Sequence, residues 1–319
     1  MNILATTNRD SHGDIISLEA LQQMCDIMNG ERTVRMGINH NPLLPPLGQY
    51  SKAYIVKDER GEYLLCADPI LLDNYEIIDE KENLVHNFRK GLRGFNEVRF
   101  EAPDNISVDV DFFNFSNPGD ADKFFQELIE EVDRDIEVFE KIRKELHPDP
   151  ELIITLTKAF LGYKILKPIA EKLSEKVAEK IAEDLATNYE KIKKIIKKSL
   201  HFFDKKYKKI TLIIEIPNSE IHIELATTIS IENIKVFMDK LTNNEIEKVV
   251  ENSLKMKHLF NGEKIQFVLS DGAEWEFTYM LTKEGGVIGK KHLFEIRNQQ
   301  YKVLLDRGQI FNSFGARIS

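Results

Sequence analysis

One histidine of this chain stands where a reactive imidazole would be useful. His40 closes an apolar, strand-like run (Val34, Met36, Ile38) and precedes Pro42, Pro45 and Pro46. Prolines fix φ and stiffen such a turn, so the ring is presented rigidly. Imidazole exchanges protons near neutral pH, and general-base work is the chemistry this suits. Two other patterns point at chemistry less well. His222 and Glu224 share one face of a strand, as metal ligands can, but no Cys, His or Asp cluster at ligand spacing joins them. The expectation is a surface pair and no metal. Gly285-Gly286-Val287-Ile288-Gly289-Lys290-Lys291 lacks the Gly-x-x-x-x-Gly-Lys-Ser/Thr order of a phosphate loop. It reads as a hairpin loop, and no cofactor is expected.

The elements around His40 form a pattern. Upstream lies Arg9-Asp10-Ser11-His12-Gly13-Asp14, then a helix, and downstream an alternating strand runs from Ser51 to Val56. Together these resemble the amino-terminal half of the phage prohead (capsid maturation) serine proteases, a family similar in fold to the herpesvirus assemblins. The resemblance covers about residues 1–118. It implies a small β-barrel with His40 as the catalytic base. His12 is then an orienting group beside the site or an exposed turn residue.

The same resemblance implies a serine on a strand facing the histidine, within a Gly-x-x-x-Gly-x-Ser-like segment. The corresponding run is Lys90-Gly91-Leu92-Arg93-Gly94-Phe95-Asn96-Glu97, so Asn96 stands at the nucleophile position. An amide nitrogen is delocalised, and no base can activate it as histidine activates a hydroxyl. The nearest substitutes are Ser107, in the alternating strand Ile106–Phe112, and Ser116, in Ser116-Asn117-Pro118-Gly119. Two functions follow: a catalytically degenerate module that binds or assembles with a partner, or an active serine endopeptidase using His40 with Ser107 or Ser116.

Composition bounds the rest. The 319 residues are 42% hydrophobic and 30% charged, with a formal net charge of −9. That length predicts more than one domain, and that charge disfavours a nucleic-acid surface over the whole chain. No apolar run approaches the ~18 residues of a membrane-spanning helix, and the first residues lack a basic, then apolar, leader. A cytoplasmic location is expected. Cys25 and Cys66 read as buried thiols.

The pattern divides the chain into 1–118, 119–205 and 206–319. In the first segment Ser17 caps a helix to Asn29 that stops at Gly30, and Tyr54–Val56 with Glu62–Ala67 forms a hairpin. A second helix is expected over 79–89. The middle reads as helical: Asp120–Leu146, with Phe124, Leu128, Val132, Ile136 and Phe139 on one face, then Pro150 to about Phe203. Its stripe over 166–196 must bury itself against Asp120–Leu146 or against a second copy. The lysines from Lys191 to Lys209 form a basic patch that can meet an anionic partner. The last segment reads as an α+β domain with a mainly antiparallel sheet: a hairpin over 210–225, helices from Ser230 and Asn243, and strands at 264–269, 275–280 and 293–296. The fold class is thus α+β, with a protein partner or homo-oligomer expected through the helical segment.

Overall fold

The structure, a computed structural model, describes residues 2–8, 15–38, 41–96, 98, 104–111, 114–141, 151–156, 190–204, 206–207, 209–217, 221–230, 233–241, 243–269 and 274–306. Over these the chain is mixed α+β. It divides into two compact units: Met1–Val98 with Phe260–Lys264 and Phe277–Ser319, and Arg99–Leu259 with Ile265–Glu276. The chain therefore returns to its first unit late, a course that differs from three consecutive segments.

In the first unit, β1 (Asn2–Thr6), β2 (Arg35–Met36), β3 (Gly48–Lys57) and β4 (Tyr63–Leu71) form an antiparallel sheet in the order β1-β4-β3-β2. The β3–β4 hairpin turns where expected, because Asp58 Oδ1 accepts from the amides of Arg60 and Glu62, both at 2.9 Å, and Gly61 takes φ +90°. Helix α1 (Leu18–Asn29) buries Leu21, Cys25 and Met28 against Val34, Met36, Tyr50 and Leu65. Both cysteines are buried free thiols, and burial raises their pKa. At the end of α1 the Asn29 amide donates to Ala53 O and accepts from Ala53 N, at 2.8 and 2.9 Å, where the β3–β4 register slips. A side chain thus replaces the missing ladder partner.

Ser17 Oγ accepts from Ala20 N at 3.1 Å, the capping bond its type predicts. Ser17→Ala should cost about 1 kcal/mol. The check is urea unfolding followed through the reactivity of Cys25 and Cys66, and an unmoved midpoint would remove the cap's role.

Two elements of this unit differ from the sequence expectation. Residues 79–89 are not helical: β5 (Asn74–Asp79) pairs antiparallel with β6 (Leu84–Phe88). Asp79 Oδ1 accepts from the amides of Lys81 and Glu82, and Asn83 takes φ 52°, so the charged residues that read as a first helical turn close a hairpin. Residues 293–296 are not a strand; they lie in α6 (Lys291–Asp306), which buries Phe294 and Arg297 at helical spacing. β6 pairs with β14 (Val287–Lys290), and β14 with β13 (Trp275–Thr282), across a turn with Gly285 at φ +76°. The glycine run there is a hairpin, as expected.

The second unit carries β7 (Ser107–Asp111), α2 (Pro118–Glu131), β8 (Glu137–Lys141), β9 (Glu151–Thr155), a helix over 190–202 (α3), β10 (Lys209–Ile216), β11 (His222–Ser230), α4 (Ile234–Lys240) and α5 (Asn243–Phe260). β12 (Gly262–Leu269) and β13 divide between the units. The sheet order is β11-β10-β9-β7-β8, with β9–β10 and β7–β8 parallel and β10–β11 and β7–β9 antiparallel.

The expected helix over 120–146 ends at Glu131. Asp133 Oδ1 accepts from Asp135 N, and Glu137–Lys141 then pairs with β7. The expected helix from Pro150 begins as a strand, since Ile153, Ile154 and Thr155 are β-branched and the five-residue run is buried throughout. Ser230 ends β11 opposite Lys209, and the helix expected to follow it to Leu241 is α4, whose N-cap residue is Asn233. The α2–α3 packing does occur. Ile192, Ile195 and Ile196 are buried, Lys191 pairs with Asp133, and Lys198 pairs with Glu127 and Glu131 at 2.6 and 2.8 Å. The stripe over 166–189 lies outside the described residues, as does the His147-Pro148-Asp149-Pro150 break.

Candidate functional site

Of the five candidate residues, His40 and His12 lie outside the described residues. Asn96 belongs to the first unit, and Ser107 and Ser116 to the second. The 90–96 run is not a strand. It is loop and turn apart from Phe95, which makes a single parallel bridge to Thr33. Two backbone bonds anchor it, Thr33 N to Gly94 O and Asn96 N to Thr33 O, both at 2.9 Å, and the Arg32 side chain adds a third, Nε to Phe95 O at 2.8 Å. Arg32 also pairs with Glu263, whose carboxyl burial pushes above its ordinary pKa against the pull of that guanidinium. A Cβ at Gly94 would lie 3.0 Å from Arg32 Nη2 and 3.2 Å from Lys283 O, a tight fit that either neighbour would have to relieve.

Asn96 is half-buried, and its Oδ1 has no hydrogen-bond partner among the described residues. It can accept a hydrogen bond. It cannot attack a carbonyl.

Ser107 is 3% exposed at the start of β7, paired with Glu137 on β8 and Thr155 on β9. Ser116 is exposed just before Asn117, the N-cap residue of α2, and its hydroxyl contributes slightly to the lowered pKa of Asp204, which is set mainly by Lys206. That places it as the turn residue its sequence context suggests.

His222 and Glu224 are both fully buried, which corrects the surface pair expected of them. The β-sheet register explains why. Ser107 lies opposite Thr155, Thr155 opposite Glu215, and Glu215 opposite Glu224, so one polar row crosses four strands. Asp109, Asp111, Glu151 and His222 share that face by the two-residue period. Thr155 Oγ1 donates to Glu215 Oε2 at 3.1 Å, and Gln266 Nε2 to Glu224 Oε1 at 2.7 Å. Among the described residues no three ligand-type side chains are grouped as a metal requires. Sequence reasoning missed this face because alternation normally marks a solvated side. The one signal was the recurrence of Asp, Glu and Thr at alternate positions in several strands.

Four lysines of the patch are paired within the unit. Lys191 and Lys198 meet carboxylates of α2 and the turn after it, Lys193 meets Glu190 at 3.0 Å, and Lys206 meets Asp204 at 3.0 Å. No described helix is long and apolar enough to cross a membrane. Compared with family models, curated proteins and solved structures, the chain matches none.

Proposed function

We propose that about the first hundred residues are a prohead protease-like module that has lost peptidase chemistry and serves in binding or assembly, joined to a second α+β unit. In this reading the four-stranded sheet with α1 is what remains of the family's small barrel. One observation carries it: the nucleophile position holds Asn96, an amide in a loop anchored by Thr33 and Arg32. Support comes from the two alternative serines. Ser107 is sealed within a sheet, and Ser116 is an exposed residue of the turn before α2. Ser107 lacks access to a substrate, and Lys206 holds the Asp204 carboxyl beside Ser116 below its ordinary pKa, which makes it a weak base, so neither environment favours attack.

The test is a serine-directed fluorophosphonate probe on the full chain. No labelling of Ser107 or Ser116 is expected. Labelling that disappears in His40→Ala would overturn the reading and restore an active endopeptidase. Asn96→Ser is the complementary variant, and labelling gained there would support the register.

A further inference from the structure

Arg297 is a buried cation with no counter-charge among the described residues. It is 3% exposed, on the inward face of α6. Its Nε donates to Asn298 Oδ1 at 3.1 Å, Nη2 donates to Asn87 Oδ1 at 3.1 Å and Asn298 Oδ1 at 2.9 Å, and Nη1 donates to Pro46 O. All three acceptors are neutral, and a guanidinium has five N–H groups, so Nη1 keeps donating capacity. The flat face lies 4.9 Å from the Phe294 ring centre, and Tyr75 meets that ring edge-on at 5.9 Å. Burial pushes the Arg297 pKa down to about 10. A charge taken from water with only neutral partners is costly, whereas an anion beside it recovers much of that cost.

The same guanidinium lines a cavity of about 450 Å³ together with Asn87, Tyr75, Tyr301, Lys291 and Glu295. That volume lies in the range of small-molecule sites, and the lining mixes aromatic surface with a few convergent polar groups. The other charges on the wall are already answered: Asp73 by Arg89 at 3.6 Å, and Glu295 by Lys291 at 3.9 Å. Among the described lining charges Arg297 alone has no ion-pair partner; taken together Asp73 and Glu295 balance Lys291 and Arg297.

We propose that this cavity binds a small monocarboxylate with a flat apolar body, its carboxylate against the Arg297 guanidinium and its body against Tyr75 and Tyr301. The remaining Nη1 N–H supplies one charge-assisted hydrogen bond to a carboxylate oxygen. A single negative charge is preferred because Glu295 and Asp73 border the cavity and repel a second one. The inference is independent of whether the protease-like reading holds.

The test is calorimetric titration of the full chain with benzoate, benzamide and phenyl phosphate. Benzoate should bind saturably, and at least about tenfold more tightly than either comparison compound, the equivalent of one charge-assisted contact. Arg297→Gln should weaken benzoate by about tenfold or more. Glu295→Gln changes an exposed rim residue and should tighten benzoate severalfold by removing a like charge. It supplies the answer if the Arg297 variant fails to fold. No saturable benzoate binding, equal affinity for benzamide, tighter binding of phenyl phosphate, or indifference to Glu295→Gln would each overturn the proposal.

Discussion

Gly48→Ala should unfold the first unit's sheet at its tightest point. Gly48 opens β3, where it pairs with Met36 on β2 and Leu71 on β4. A Cβ at this position would lie 1.9 Å from Ile70 O, 2.9 Å from Ile70 C and 3.0 Å from Leu71 Cα. All three are backbone atoms of the neighbouring strand, so no side chain can swing aside. Relief requires β3 and β4 to part, which strains their ladder and the Leu47 N to Met36 O bond beside it. Overpacking against side chains costs 1–3 kcal/mol, and against a fixed backbone about 3 kcal/mol or more is expected. Cys25 and Cys66 are both buried in this unit, so their reaction with a thiol reagent during urea titration reads its opening. A shift below about 0.5 kcal/mol, the scale of an ordinary surface change, would mean that the strands separate freely.

Phe124→Ala should remove about 3–5 kcal/mol from the second unit. Phe124 is fully buried on α2, with ring centres of Phe115 at 5.5 Å, Phe125 and Phe202 at 5.8 Å and Phe203 at 6.3 Å. Its loss leaves a cavity that several rings border, and aromatic pairing adds to the transfer loss. Phe139→Ala is the control. A continuous helix over 120–146 would bury both phenylalanines, whereas β8 leaves Phe139 50% exposed, so its removal should change stability by no more than about 0.5 kcal/mol. Trp275, the single tryptophan, reports on this unit through its packing on Phe237 and its hydrogen bond to Lys240 O. Equal destabilisation by the two variants would contradict the strand assignment of 137–141.

Local chemistry determined what the sequence by itself could show. The Ser17 cap, the α1 face, the Asp58–Gly61 turn and the β10–β11 hairpin each depend on residues within a few positions, so type and spacing settle them. Asn96 in place of a nucleophile is likewise a statement about residue type alone. Tertiary structure decided where local signals were degenerate. Residues 79–89 and 137–141 carry patterns compatible with either period, and their strands exist because β14 and β7 supply ladder partners from elsewhere in the chain, with β5 closing a local hairpin on β6. The alternation in β7, β9, β10 and β11 is a second case. An isolated strand with polar residues on one face is expected to show that face to water, yet here Asp109, Glu215, His222 and Glu224 are all buried. Arg297 is a third: its sequence neighbours mark only a helix face, and its enclosure depends on Pro46 and Asn87, some two hundred positions earlier in the chain. Burial is a property of what arrives from elsewhere in the chain, and no local pattern encodes the far side of a contact.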